Sequence, residues 1–213
     1  MAYIEIRNCV KTIKNRRILD NINLSLEKGK IYGFVGHNGS GKTVLFKILS
    51  GIIYADSGEI IIDGKPVSPK INYPVKQGVI IENVGLWPYL TAKENLEVLA
   101  KINGEIKENE IDEVLNRVKL DSGNKCFSKF SLGMKQRLVL AQAIMEKPDL
   151  LILDEPTNAL DKDGVELFRK IVKEETERGA TILLASHSME HFDELCDGII
   201  YISEGKIIET KGC

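Results

Sequence analysis

The segment Gly36-His37-Asn38-Gly39-Ser40-Gly41-Lys42-Thr43 limits the possible folds of this chain more than any other part of the sequence. An almost continuously apolar run, Ile31 to Val35, leads into it, and Val44, Leu45, Ile48 and Leu49 leave it at helical spacing. The order predicts a buried strand, a glycine-rich turn and a helix. Such glycines let the backbone curl until successive N–H groups point inward at an anion. A helix opening near Lys42 adds the positive end of its dipole at the same place. The pattern is G-x-x-x-x-G-K-[ST], which cradles phosphates. Lys42 is expected to reach the β- and γ-phosphates of ATP, and the Thr43 hydroxyl to hold Mg²⁺. A glycine-rich turn with an incidental lysine would not need the strand before it and the helix after it.

The rest of the chain supplies a sheet for that loop. Tyr3-Ile4-Glu5-Ile6-Arg7 and Ile22-Asn23-Leu24-Ser25-Leu26 alternate apolar and polar, as half-exposed antiparallel strands do. Asp63-Gly64 after Glu59–Ile62, and Glu204-Gly205 between Ile199–Ile202 and Ile207-Ile208, read as hairpin turns. Leu150–Leu153 and Thr181–Ala185 are short and wholly apolar, the mark of strands covered on both faces. Leu167, Phe168, Ile171 and Val172 make a helical stripe between those two strands. The fold class expected is α/β: a P-loop NTPase core of mostly parallel sheet flanked by helices, with an N-terminal antiparallel β subdomain. Residues 86–145 show no strand-like run. A capping box, Thr91-Ala92-Lys93-Glu94, opens one helix there. Ile111, Val114, Leu115 and Val118 mark a second, and Leu138 to Met145 a third. They predict a helical lobe inserted between core segments 1–85 and 146–213.

Composition narrows the setting. The chain has 213 residues with 43% hydrophobic and 28% charged residues, enough for one large globular domain. A net charge of −2 argues against nucleic acid as a partner. Cys9, Cys126, Cys196 and Cys213 form no C-x-x-C pair and read as free thiols. Met1 to Arg7 lacks the apolar run of a signal peptide, and the longest apolar runs fall far short of the ~20 residues that cross a bilayer. A membrane role would therefore come through a partner chain.

Leu150–Leu153 ends in Asp154-Glu155, and a Mg²⁺–nucleotide site needs a carboxylate at the end of a neighbouring buried strand. Asp154 suits Mg²⁺, directly or through water, and Glu155 is placed to orient or deprotonate an attacking water. With these residues in place the chain resembles the ABC ATPase family over its whole length. Asn158-Ala159-Leu160-Asp161 look like that family's D-loop, and His187, after the strand Thr181–Ala185, looks like its switch histidine. Ser128 to Arg137, containing Ser131-Leu132-Gly133-Met134-Lys135-Gln136, is similar to the family signature usually written LSGGQ. The resemblance implies a head-to-tail pair of ATPase subunits, with ATP buried between the phosphate loop of one and the signature of the other. There Ser131 and the Gly133 N–H, at a helix N-terminus, would face the γ-phosphate. It also implies a cytoplasmic protein, peripheral on the inner face of the plasma membrane, working on a separate integral membrane permease. A soluble ABC-type ATPase acting on ribosomes or DNA is the alternative. Such proteins usually carry paired cassettes, a coiled-coil insertion or zinc modules, and none is visible here. A non-hydrolysing scaffold would be expected to have lost Glu155 or His187.

Three positions depart from the family pattern. Leu132 and Met134 replace a glycine and the glutamine of the signature, in a form that looks like the ATP subunits of bacitracin- and lantibiotic-type exporters. Glu82 stands where the family's Q-loop glutamine follows a strand, as tends to happen in the same subgroup. Ile13 falls where the family usually stacks an aromatic ring on adenine, which implies weaker base selectivity. Beside Glu82, Leu86-Trp87-Pro88-Tyr89-Leu90 cannot form a regular helix because of Pro88. Its aromatic rings either pin the lobe to the core or stay partly exposed. The sharper expectation is that part of this segment, Trp87 included, stays exposed as a hydrophobic patch, where the resemblance places the groove that receives a short cytoplasmic helix of the permease.

Overall fold

The structure, a computed structural model, describes residues 2–82, 85–103, 108–158, 160–187 and 194–212, with backbone only at 103 and 108. Ala159 and Cys213 lie outside the described residues, and Cys9, Cys126 and Cys196 are free thiols. In chain order the elements are β1 (Ile4–Ile13), β2 (Arg16–Leu26), β3 (Ile31–Val35), α1 (Lys42–Leu49), β4 (Ser57–Ile62), β5 (Lys65–Pro66) and β6 (Gln77–Ile80). Then follow α2 (Ala92–Asn103), α3 (Glu108–Arg117), a 3₁₀ turn at Phe127–Lys129, and α4 (Leu132–Ile144). The chain continues through β7 (Leu150–Asp154), α5 (Lys162–Glu177), β8 (Thr181–Ser186), β9 (Gly198–Ser203) and β10 (Lys206–Lys211).

Two sheets form. β2-β1-β4-β5 is antiparallel, and β10-β9-β3-β8-β7-β6 is parallel from β9 to β6 with β10 added as an antiparallel edge. The hairpin turns read from the sequence are present: Asp63 and Gly64, and Glu204 and Gly205, all have positive φ.

Strand periodicity decides which side chain enters which core. On β3, β7 and β8, Ile31, Leu151, Leu153, Ile182 and Leu184 point to one face, where they meet α2 to α5. Tyr32, Phe34, Leu150, Ile152, Leu183 and Ala185 point to the other, where they meet α1 and the antiparallel sheet. Phe34 and Phe46 pack edge to face there, with ring centroids 5.1 Å apart. Continuous apolar runs are thus what a strand buried on both faces requires. Fully burying each Ile or Leu stabilises the fold by about 1.5–3 kcal/mol.

The helices of residues 86–145 share the first of these cores, since Leu96, Ile111, Val114 and Val118 belong to the same cluster as Ile80 and Leu151. The predicted capping box forms in both directions: Thr91 N–H donates to Glu94 Oε2 at 2.7 Å and Glu94 N–H to Thr91 Oγ1 at 3.2 Å. Arg137 of α4 donates to the carbonyls of Val118 and Lys119, capping the chain just past α3. Arg117 on α3 pairs with Glu174 and with Glu175 of α5, at 3.1 and 2.8 Å; Glu175 is buried and also held by Arg178.

α4 lies against β6 through Gly78. A Cβ built there would stand 1.9 Å from the Ala143 carbonyl oxygen, so no side chain fits without moving the helix. Gly78→Ala is therefore expected to lower unfolding stability by about 1–3 kcal/mol, the usual range for forced overpacking. Urea unfolding should show a lower midpoint with an unchanged m-value, and an unchanged midpoint would contradict this packing.

Candidate functional site

β3 ends at Val35 and the chain turns through the glycine loop into α1. Gly41 is the N-cap of α1, with φ 108, and a Cβ there would meet the Leu19 side chain at 2.8 Å. Only glycine suits that position. Lys42 is buried, and its ammonium donates to the carbonyls of Gly36 at 2.6 Å and His37 at 3.3 Å, across its own loop. Burial lowers its pKa, against the opposing pull of Glu155 and Asp154. The Ser40 hydroxyl is buried without a hydrogen-bond partner among the described residues.

His37, Asn38, Gly39, Ser40, Gly41, Lys42 and Thr43 wall a cavity of about 610 Å³; Gly36, the residue after β3, is not among its lining residues, and its carbonyl accepts from Lys42. Asp154 and Glu155 close the far side. β8 separates β3 from β7 in the sheet, yet Thr43 Oγ1 donates to Asp154 Oδ2 at 2.5 Å. Burial raises the Asp154 pKa. The Thr43 hydrogen bond opposes that, and the Glu155 charge adds to it.

Glu155 follows β7 with φ 49, a left-handed conformation uncommon outside glycine. Its carboxylate meets His187, just past β8: Nδ1 lies 3.1 Å from both Oε1 and Oε2. The structure therefore brings Lys42, Thr43, Asp154, Glu155 and His187, drawn from three strand ends, to one place.

Ser131 and Gly133 are not in that group. They wall a second cavity of about 360 Å³, together with Arg137 and Asp161. Ser131 is the N-cap of α4 and accepts from the Met134 N–H at 3.2 Å. Asp161, read as a D-loop residue, is the N-cap of α5 and accepts from the Gly164 N–H at 2.8 Å.

The three departures find distinct settings. Leu132 is 64% exposed at the start of α4. Glu82, with φ 56, lines the phosphate cavity and is paired with Lys47 at 2.7 Å. Ile13 is exposed at the β1–β2 hairpin and is not among the residues lining the cavity; Arg16 and Ile18 from that hairpin are. The apolar segment also differs from expectation in which ring is free. Trp87 is half-buried and Tyr89 is 69% exposed, so the patch centres on Tyr89. Buried Asn95 holds the backbone of this segment. Its side chain accepts from the Trp87 N–H at 2.8 Å and donates to the Thr91 carbonyl at 2.8 Å, with longer bonds to the Trp87 and Leu90 carbonyls.

Sequence reasoning missed Asn95, Arg16 and Lys47, and it gave no separate role to Gln136 of the signature, whose amide donates to the Pro156 carbonyl at 2.7 Å and ties α4 to the turn after Glu155. Asn95 had a legible signal: an amide among apolar positions of an amphipathic helix has to find partners. The others act through tertiary placement, which spacing does not report.

Comparison with known proteins agrees with this geometry. The ABC transporter family model matches residues 19–158. The chain is 47% identical over 205 residues to the ABC transporter ATP-binding protein YybJ of Bacillus subtilis, covering 96% of this chain and 94% of the relative. It is 41% identical to the bacitracin transport ATP-binding protein BcrA of Bacillus licheniformis, over 97% of this chain and 68% of that one. It is 40% identical to the lantibiotic transport ATP-binding protein SrtF of Streptococcus pyogenes, over 98% and 90%. Among solved structures, the dimeric ABC transporter cassette MJ0796 superposes with a TM-score of 0.88 at 25% identity, covering 98% of this chain and 97% of that one. The same cassette is also known as a post-hydrolysis dimer bound to ADP and Pi. The chain belongs to the ABC transporter family, as one of its ATP-binding, ATP-hydrolysing subunits, built on the P-loop NTPase fold.

Proposed function

We propose that the protein binds MgATP, pairs head to tail with a second ATPase subunit, and drives a separate membrane-spanning permease that exports a peptide antibiotic or a similar amphipathic compound. The observation that carries the hydrolytic part is the His187–Glu155 contact beside Lys42 and the Thr43–Asp154 pair. Glu155 takes a proton from water as the water oxygen attacks the γ-phosphorus. The bond from that phosphorus to the β-phosphate oxygen breaks, leaving ADP and inorganic phosphate. With its hydrogen on Nδ1, His187 donates to the carboxylate and fixes its orientation. Lys42 and the N–H groups at the start of α1 hold the charge on the phosphates.

The residues fit Mg²⁺. Thr43 and Asp154 offer a hydroxyl and a carboxylate already in contact. A single carboxylate with a hydroxyl, waters and phosphates suits this ion better than an all-protein cage. When bound there, Mg²⁺ would neutralise charge on the β- and γ-phosphate oxygens.

The separation of Ser131 and Gly133 from the phosphate loop, on a different cavity of the same chain, supports a second subunit. Supplied by a facing copy, the N-terminus of α4 would complete the γ-phosphate site. Loss of that phosphate would release the pair, and this is the work stroke. Among the described residues no helix is long and apolar enough to cross a membrane. Exposed Tyr89, near Glu82, is the proposed contact with the permease. The cargo class rests on the names of the bacitracin and lantibiotic relatives.

Glu155→Gln is expected to cut ATP turnover by about 10² or more while ATP binding stays nearly intact. With ATP present it should accumulate as a dimer on gel filtration. Turnover at the parent rate would remove Glu155 from the role of base.

Asp154 supplies a pH test. The folded state holds its proton more tightly than the unfolded chain does. The native protein thus loses stability as pH rises from the ordinary carboxylate range through the raised folded value. Asp154→Asn escapes that loss, so its melting temperature should exceed the parent's at pH 7 and approach it at pH 4. MgATP should stabilise the parent and not the variant. A variant less stable than the parent at pH 7 would contradict the burial argument.

Tyr89→Ala should uncouple transport in the reconstituted complex while basal ATPase of the free subunit stays within about twofold of the parent, as expected for loss of an interface anchor. Trp87 emission should shift to the blue when the permease is added. Transport coupled as in the parent would place the permease elsewhere.

A further inference from the structure

Three carboxylates, Glu82, Asp154 and Glu155, wall the cavity that receives the phosphates of ATP. Lys42 lies in the same wall, and it too is drawn by Glu155 and Asp154. Asp154 has the Thr43 hydroxyl and Glu155 has His187. Glu82 has neither. Its carboxylate instead accepts from Lys47 Nζ at 2.7 Å, a pair spanning 35 residues that joins α1 to the loop after β6. Lys47 is in the last turn of α1, where a cation also suits the helix dipole, and its side chain is 26% exposed. Glu82 is aimed by a left-handed backbone at φ 56, and it lines the neighbouring cavity of about 420 Å³ beside Phe127, Lys135 and Gln136.

We infer that Lys47 is a positioning residue for ATP: it neutralises Glu82 and holds that carboxylate away from the phosphates, so that a negative side chain in this wall does not repel a negative substrate. A glutamine at position 82 would need no such partner. The glutamate does, because its field reaches the site, where it adds to the upward pull on the Asp154 pKa. At the partial exposure of this cavity, like charges several ångströms apart still interact by an amount comparable to a tenfold change in affinity. The inference rests on ATP occupying this cavity.

A double-mutant cycle tests it. ATP affinity, by titration with a fluorescent analogue, and KM and kcat for ATP hydrolysis are measured for the parent, Lys47→Met, Glu82→Gln and the double variant. Lys47→Met should weaken ATP binding and raise KM about tenfold, equivalent to ~1.4 kcal/mol, with kcat changed less than threefold. In the Glu82→Gln background the same substitution should change KM by less than twofold. Lys47→Arg should behave as the parent. Because added salt screens the uncovered charge, the defect of Lys47→Met should shrink between 0.05 and 0.5 M salt. Equal losses in both backgrounds, or a change confined to kcat, would overturn the inference. So would a Lys47→Met enzyme with the parent KM. A parent that hydrolyses no ATP would instead strike at the function proposed above, so the two failures are distinct.

Discussion

The hydrogen bond between Thr43 and Asp154 is the point at which this fold becomes a site. The two residues are 111 positions apart in sequence, and β3, which leads to Thr43 at the start of α1, does not pair with β7, which ends at Asp154. What brings them together is parallel order. β3, β8 and β7 all end at the same edge, so the turn after each strand delivers its side chains to one crevice. A parallel sheet collects turns in this way because every connection returns to the opposite edge before the next strand begins. Reversing any one of the three strands would carry Lys42, Asp154 or His187 to the far side.

Much of this was legible in the sequence, for a physical reason. Ile31–Val35, Leu150–Leu153 and Thr181–Ala185 are apolar without alternation because both faces are covered, and that pattern survives any detail of packing. The glycine loop was legible because left-handed backbone at Gly39 and Gly41 excludes almost every other residue. The same backbone region was not legible at Glu82 and Glu155. Both carry a side chain there, so no glycine marks the turn. Strain of that kind is held in place by the surrounding fold and gathers at functional sites, where local propensity ceases to be a guide. Trp87 and Tyr89 looked alike for a similar reason. Which ring is shielded is a matter of tertiary placement: Trp87 is half-buried, its backbone held by Asn95, and Tyr89 is exposed.

α4 shows how one element can serve two sites. Gly78 lets its C-terminal half lie directly on β6, and Gln136 ties its first turns to Pro156, one residue past Glu155. Its N-terminus carries Ser131 and Gly133 in the other cavity. Closely packed interiors transmit displacement instead of absorbing it, so contacts at these points couple the two ends of the helix. On the function proposed here, a pull on the Ser131 end by a facing subunit's nucleotide would reach the turn that carries Glu155 within the same chain.

The two ends of the signature also explain which departures from the family pattern this chain tolerates. Ser131 is extended and caps α4, and Leu132 begins the helix with its side chain in solvent. Neither position needs glycine, and leucine is among the better helix formers, so Leu132 is favourable for the subunit by itself. Gly133 is different. It lies in the first turn of α4 and its φ is not positive, so its backbone could be adopted by any residue. A glycine in a helix interior costs up to about 1 kcal/mol relative to alanine. A residue that weakens its own helix, without a backbone conformation that demands it, points to something approaching from outside. Space for a phosphate at a helix N-terminus is one such demand, and the proposed head-to-tail pair supplies it.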